Sequence, residues 1–162
     1  MKKSSVQLAD EIEQIIHTHG NMLFRLSLAM LGNTGDAEDV VQETLIKYIE
    51  KEPEFESEEH KKSWLITVVS NKCKDLIRSH KRHPMVDLEE WNNVVKDSLD
   101  SGILEALMTL PEKYRLVLIL YYVEEYRIED IAKIIGKTKS AVKMRLQKGR
   151  KLLEETYRKE YM

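Results

Sequence analysis

Residues 128–151 read IEDIAKIIGKTKSAVKMRLQKGRK, and this stretch decides how the rest of the chain is interpreted. Its first eight residues carry apolar side chains at helical spacing, namely Ile128, Ile131, Ala132 and Ile135. Gly136 follows where helices commonly end in a left-handed residue, and Thr138 can cap a second helix. That helix has its own apolar stripe, formed by Ala141, Val142, Leu146, Gly149 and Leu153. The pattern predicts a helix-turn-helix.

The second of these helices is strongly basic. Residues 133–151 contain six Lys and two Arg and no acid. The side chains that lie off the buried stripe include Lys139, Lys143, Met144, Gln147, Lys148 and Lys151. A basic second helix is what DNA phosphates require. An ordinary helical hairpin with a solvated basic face is the alternative, but the turn chemistry and the one-sided charge together favour DNA binding.

Composition narrows the class of protein. With 162 residues the chain can form one domain or two small ones, and only six Gly and three Pro favour an all-α fold. A single cysteine excludes an internal disulfide framework and suits a reducing compartment. The polar amino terminus has no signal-peptide pattern, and the longest apolar run, residues 116–123, is too short to span a bilayer. We therefore expect a cytoplasmic protein.

The net charge of −2 hides a segregation of charge along the chain. Residues 34–59 carry a net charge of −8, and residues 60–83 carry +6. Residues 86–105 then carry −5, and residues 133–151 carry +8. Two basic blocks that alternate with two acidic ones predict two nucleic-acid contacts and at least one other partner.

The amino-terminal half reads as a series of helices. One or two amphipathic helices over residues 6–31 are predicted, with an interruption near Gly20. The turn at residues 32–35 opens a helix with acidic residues in its first turn. On that helix Asp39, Gln42 and Glu43 fall opposite the apolar stripe, which taken alone indicates a solvated face.

A third helix, capped by Ser57, is predicted to run to about Arg82. One of its faces is apolar, and the other is expected to carry Lys62, Asn71, Lys74, Asp75, Arg78 and Lys81. Trp64 fits either a core position or a base-stacking one. Cys73 fits a small buried residue, since no second cysteine or spaced histidine cluster supports a metal site.

The rest of the chain reads as a linker followed by helices. Residues 85–101 are acidic and weakly periodic. A short helix is predicted over residues 103–108 and an apolar one over residues 112–124. Residues 116–123 also suit a buried strand by composition, although their helical neighbours argue against it. The last residues, 156–162, are expected to fray.

Four segments in order resemble a bacterial extracytoplasmic-function (ECF) sigma factor of the sigma-70 family. They are DAEDVVQET at residues 36–44, SWL at residues 63–65 leading to Asn71, Asp75 and Arg78, LPEKYR at residues 110–115, and the span from Ile131-Ala132 to VKMRL at residues 142–146. The resemblance covers nearly the whole chain. It implies a two-domain all-α protein, with a region 2-like domain at residues 1–83, an acidic linker at residues 84–101 and a region 4-like helix-turn-helix domain at residues 102–162.

The resemblance also implies a function. Such a protein binds core RNA polymerase and directs initiation by reading minus-35 and minus-ten promoter elements, while polymerase performs the chemistry. The expected partners are core RNA polymerase, promoter DNA and an anti-sigma factor, and no cofactor or metal is expected. The acidic linker suits either polymerase's single-strand channel or a solvated tether.

Site residues are implied by matching positions. Asp39, Gln42 and Glu43 match the motif that docks on polymerase. The minus-ten candidates are Lys62, Trp64, Asn71, Lys74, Asp75, Arg78 and Lys81, with Asn71 in a base pocket and Trp64 in the wall or core behind it. In the minus-35 reader, Lys143, Met144, Gln147 and Lys148 approach the major groove, whereas Lys139, Arg150 and Lys151 touch phosphate.

Two other classes of protein remain as alternatives. A self-sufficient helix-turn-helix regulator needs a dimer interface, for which the sequence has no clear additional apolar stripe. A helical adaptor or anti-sigma-like protein would bind proteins only and would be indifferent to DNA. An enzyme is disfavoured because the histidines and carboxylates show no spacing for metal binding or for acid–base chemistry.

Overall fold

The computed structural model describes residues 2–80 and 101–161, and all regular structure in these two ranges is helical. The helices are α1 (Ser5–Leu31), α2 (Thr34–Lys51), α3 (Glu58–His80), α4 (Ser101–Met108), α5 (Glu112–Leu118), α6 (Ile128–Ile135) and α7 (Lys139–Tyr161). The prediction of an all-α fold is confirmed. The strand alternative for residues 116–123 is wrong, because α5 continues into a π-helical segment, Ile119–Val123.

Helix α1 runs without a break through Gly20, so the predicted interruption there is wrong. A glycine inside a helix costs about 1 kcal/mol relative to alanine, which is little beside the burial of the residues around it. His19, Met22 and Leu23 are all buried on the side of α1 that faces the core. The helix begins with a capping box between Ser4 and Gln7.

Turn residues separate the first three helices as predicted. Gly32 ends α1 with a φ of 77°, and the Asn33 side chain caps α2 by accepting a hydrogen bond from the Asp36 backbone N–H at 2.9 Å. The Ser57 hydroxyl accepts a hydrogen bond from the His60 backbone N–H at 3.1 Å at the start of α3. These ends allow α1, α2 and α3 to fold back on one another around a shared apolar core.

Cys73 of α3 lies in that core, as predicted for a small buried residue. Burial raises the pKa of its thiol to about 12. The thiol is therefore protonated at neutral pH and has the character of a packing group.

Helices α4 to α7 form the second half of the fold. Gly136 separates α6 from α7 with a φ of 68°, and the Thr138 hydroxyl accepts a hydrogen bond from the Ala141 backbone N–H at 3.1 Å. Val142 and Leu146 lie on the inward face of α7 and are buried. Gly149 permits a close crossing with α5, because a Cβ atom there would lie 3.2 Å from Leu118 Cδ1. The helix-turn-helix is thus present as the sequence indicated.

The ends of this half differ from the predictions. Helix α4 begins at Ser101 and not at residue 103, and α7 extends to Tyr161 where fraying was expected. Leu152 and Leu153 of α7 pack on the core, and this packing supports the last turns. The predicted linker, residues 84–101, lies outside the described residues apart from Ser101. The division into two domains stays a prediction.

The left-handed turn at Gly136 leads to a stability prediction. Gly136→Ala should lower the free energy of unfolding by about 1 kcal/mol, because a Cβ atom disfavours positive φ. Gly35 lies in the first turn of α2, and the nearest atom to a Cβ there is Asn33 Oδ1 at 3.8 Å. Gly35→Ala should therefore raise that free energy by about 0.4–1 kcal/mol. Urea denaturation of both variants checks the pair, and effects of the same sign would contradict it.

Candidate nucleic-acid and protein interfaces

The outer face of α7 is basic and fully accessible. Val142, Leu146 and Gly149 face inward and hold the helix on the core, so the opposite side is turned to solvent. All seven candidates from the sequence are exposed: Lys139, Lys143, Met144, Gln147, Lys148, Arg150 and Lys151. Met144 is 70% exposed, which is unusual for a large apolar side chain. This surface is therefore accessible to a ligand.

The seven residues do not form one continuous line. Lys143 and Gln147 are one helical turn apart, and Gln147 lines a groove of about 730 Å³ between α7 and the start of α5 together with Met144, Lys148 and Lys151. Lys148 Nζ lies 5.7 Å from the centre of the Tyr114 ring at this groove, and Lys113 Nζ lies 5.1 Å from it. Lys143 is therefore exposed outside this groove, and Gln147 lies at its border.

A second group of polar residues lies on α3. Asn71, Asp75 and Arg78 are exposed and lie three to four residues apart, so they share one side of the helix. Lys74 lies at the border of this side and is half-buried. Burial lowers the pKa of its ammonium group, and the neighbouring Arg145 and Arg78 lower it further. The group offers one amide, one carboxylate and two cations to a ligand.

Trp64 belongs to an aromatic cluster about two helical turns before Asn71 on α3. Its ring lies 6.0 Å from that of Tyr48 and 5.9 Å from that of Phe55, both in edge-on arrangements. Edge-on contacts of this kind add to the energy of burial and fix the ring in place. Trp64 is therefore partly buried against the core, and its role at a base pocket stays a prediction.

Lys62 is separated from the other minus-ten candidates. It precedes Asn71 by nine residues, which places the two side chains on opposite sides of α3 because each residue turns a helix by about 100°. Lys62 Nζ lies 5.2 Å from the centre of the Tyr126 ring, in the second half of the chain. The prediction that Lys62 shares a face with Asn71 is wrong. Lys81 lies outside the described residues.

An acidic face is formed by α2. Asp39, Gln42 and Glu43 are exposed, while Val40 and Thr44 of the same helix are buried. Glu43 Oε2 lies 3.7 Å from Lys72 Nζ of α3, and the Glu43 side chain remains 60% exposed. An ion pair as exposed as this one contributes little to stability. The three polar side chains are thus available to a partner, directly beside the basic helix α3.

The first half of the chain (α1 to α3) contacts the second half (α4 to α7) at an interface that the sequence did not indicate. Helix α3 packs on α6 and α5, and α1 packs on α5. Arg25 of α1 pairs with Glu124, which directly follows the π-helical segment. These two residues lie 99 positions apart, so no pattern within a helix could predict their contact.

Within residues 2–80 and 101–161, no helix is long and apolar enough to cross a membrane. Nor does that part of the chain bring three or more His, Cys, Asp or Glu side chains together in a way that could hold a metal ion.

Comparison with protein families matches both halves of the chain. Residues 15–83 match Sigma-70 region 2, and residues 101–153 match Sigma-70 region 4. The first match covers α2, α3 and most of α1, and the second covers the helix-turn-helix.

Relatives match nearly the full length. The chain is 30% identical to RNA polymerase sigma factor SigV of Bacillus subtilis over 149 residues, with 90% of each chain covered. It is 27% identical to the ECF RNA polymerase sigma factor SigW of the same organism over 168 residues, with 92% of this chain and 90% of that one covered. It is also 28% identical to the ECF RNA polymerase sigma factor SigM of Mycobacterium tuberculosis, with 85% and 72% covered.

Two solved structures share the fold. The sigma factor RpoE of Bartonella quintana, in complex with the anti-sigma factor NepR, has a TM-score of 0.69 at 23% identity, with 91% of this chain and 97% of that chain covered. CnrH, in complex with the cytosolic domain of CnrY, has a TM-score of 0.70 at 22% identity, with 93% and 92% covered. Given the two matched regions in order and the full-length relatives, the chain belongs to the ECF sigma factors of the sigma-70 family.

Proposed function

We propose that this ECF sigma factor docks on core RNA polymerase through the acidic face of α2, reads the minus-35 element with α7 and opens the minus-ten element with α3. The observation that carries the proposal is the exposed basic face of α7, held outward by the buried Val142 and Leu146. Phosphate binding needs such cations, and base readout needs side chains that reach beyond them.

At the minus-35 element, Lys143 and Gln147 are the residues placed to read bases. An amide can pair bidentately with adenine, and a lysine can donate to guanine. Lys139, Arg150 and Lys151 flank them and contact phosphates. Met144 offers an apolar surface to a thymine methyl group.

At the minus-ten element, Asn71 is placed to hydrogen-bond an unstacked base. The Trp64 ring, fixed by Tyr48 and Phe55, supports the wall of that pocket and does not stack on the base. Lys74 lies one turn and Arg78 two turns further along α3, and both contact the single-stranded backbone. Lys62 faces the second half of the chain in this arrangement.

The protein has no catalytic site of its own in this proposal, and polymerase performs nucleotidyl transfer. It acts in the cytoplasm, where core polymerase and promoter DNA are found. An anti-sigma factor that covers the DNA-binding faces is the expected regulator, because the structural neighbour from Bartonella quintana is a sigma factor in complex with an anti-sigma factor.

Run-off transcription on a promoter library tests the proposal. Core RNA polymerase with this protein should give transcripts that polymerase alone does not give, from templates that share two spaced elements. If core polymerase neither binds the protein nor changes its start sites, the proposal fails. A dimer that binds half-sites without polymerase would instead support the self-sufficient regulator.

Single variants assign each element to its helix. Lys143→Ala should reduce transcription from templates with an intact minus-35 element by about 5–150-fold, because a specific base contact is worth about 1–3 kcal/mol. Asn71→Ala should act in the same way through the minus-ten element. Lys159→Ala, at an exposed position near the end of α7, is the matched control and should transcribe normally. Equal losses on templates with and without the element would contradict the assignment.

A further inference from the structure

An exposed hydrogen bond connects α7 to the π-helical segment that follows α5. Arg150 Nη1 donates to the Tyr122 hydroxyl at 2.7 Å, although the two residues lie 28 positions apart. Both residues are exposed, Tyr122 to 48%. A hydrogen bond from a charged donor is shorter and stronger than one between neutral groups, and the length of this one is typical of that class. Arg150, a proposed phosphate contact, is therefore held by a residue that lies outside the helix-turn-helix.

Arg150 lies on the side of α7 that is proposed to face the minus-35 element. Lys143, Gln147 and Arg150 are separated by four and then three residues, so they follow one side of the helix. Arg150 comes two turns after Lys143, which is a distance of about 10 Å along the helix axis. A phosphate bound by Arg150 would therefore flank the bases that Lys143 and Gln147 are proposed to read.

The crossing of α5 and α7 brings Tyr122 to this place. A Cβ atom at Gly149 would lie 3.2 Å from Leu118 Cδ1 and 3.3 Å from Tyr114 Cβ, so the two helices approach each other closely at this point. Tyr122 follows Leu118 by four residues, and Arg150 follows Gly149 directly. The contact between Tyr122 and Arg150 therefore lies next to a tightly packed crossing, which fixes the distance between their backbones.

The π-helical segment, Ile119–Val123, contains Tyr122 and supports its ring. The Glu124 N–H donates to the Ile119 carbonyl at 3.0 Å, and this hydrogen bond encloses one more residue than an α-helical one does. Single turns of this kind occur frequently at functional sites. Tyr121 packs on the core, and its ring centre lies 4.9 Å from that of Tyr122 at an interplanar angle of 82°. The Tyr122 ring is thus supported on one side although it is exposed on the other.

Support of this kind favours phosphate binding because a free arginine side chain is flexible. Holding its long side chain in one geometry costs conformational entropy, and that cost falls if the side chain is already held before the ligand arrives. The guanidinium has five N–H donors, so one hydrogen bond to Tyr122 leaves enough donors for a bidentate contact with a phosphate. Phosphate contacts fix the register of a protein on the duplex without reading its sequence.

We propose that Tyr122 is a positioning residue that holds the Arg150 guanidinium for one backbone phosphate at the edge of the minus-35 element. Tyr122 acts through Arg150 and does not itself contact the DNA. This role rests on the proposed function, which identifies promoter DNA as the ligand.

A double-mutant cycle tests this role in the complex of the protein with core polymerase, by fluorescence anisotropy on a labelled promoter. Tyr122→Phe removes only the hydroxyl and should weaken binding by about 2–10-fold, the effect of losing one hydrogen bond. The loss should be the same for promoters that differ in their minus-35 bases. In the Arg150→Ala background, Tyr122→Phe should cause no further loss. Tyr121→Phe, which removes the neighbouring hydroxyl and keeps the Arg150 contact, is the matched control and should bind as the wild type does.

The salt dependence of binding gives a second measurement. Arg150→Ala should reduce the slope of log affinity against log salt concentration by about 1, as expected for one lost phosphate contact. An unchanged slope, wild-type binding by Tyr122→Phe, or a full effect of Tyr122→Phe without Arg150 would each overturn the proposal.

The same cycle separates this role from the proposed function. If the protein does not bind core polymerase, the proposed function fails, and the cycle is measured on the free protein with a minus-35 duplex at low salt. Coupled losses for Tyr122→Phe and Arg150→Ala would then still support the positioning role, whereas additive losses or no binding would overturn it.

Discussion

Leu146→Ala should lower the free energy of unfolding of the helix-turn-helix by about 2–5 kcal/mol, the cost of deleting a buried leucine side chain. Leu146 is 2% exposed and lies on the inward face of α7, where it belongs to the apolar core together with Val142. The truncation removes apolar contacts and leaves a cavity that a well-packed core fills only in part. Because α7 presents the proposed minus-35 face, transcription should fall with stability.

Met144 supplies a matched control two residues earlier on the same helix. It is 70% exposed, so Met144→Ala should change the free energy of unfolding by no more than about 0.5 kcal/mol. Urea denaturation followed by circular dichroism measures both variants. Equal destabilisation by the two substitutions would show that the inward and outward faces of α7 have been assigned incorrectly. A change in minus-35 preference without loss of stability is expected for Met144→Ala alone.

Reversing the acidic face of α2 should abolish productive docking on core polymerase. Asp39→Lys combined with Glu43→Lys should weaken binding by about a hundredfold or more, because like charges placed against each other across an interface cost several kcal/mol. Both side chains are exposed, so the fold should be kept. Sedimentation or fluorescence anisotropy with core polymerase measures the loss.

The control for this experiment keeps the change in total charge the same. Asp10→Lys combined with Glu13→Lys alters two exposed acids on α1, away from the proposed docking face. This variant should bind polymerase as the wild type does. Comparable losses in the two double variants would mean that net charge, and not the α2 face, governs the association.

Much of the architecture followed from local chemistry. Helix ends were readable because a cap depends on a few neighbouring residues, as at Asn33, Ser57 and Gly136. The outward faces of α2 and α7 were readable because helical periodicity alone divides buried from exposed side chains. The same reasoning failed at Gly20, where burial of the surrounding helix outweighs a local preference for a break.

The amino-acid sequence by itself determined the helices, the helix-turn-helix, the segregation of charge and the exposure of the basic residues of α7. Only the tertiary structure decided how the two halves meet. In the packed chain Lys62 lies against Tyr126, and Lys74 is half-buried beside Arg145. Arg25 forms an ion pair with Glu124. The physical reason is the distance along the chain over which each kind of interaction acts. Periodicity and capping act over one or two helical turns, whereas a contact between residues 99 positions apart depends on how complete helices pack.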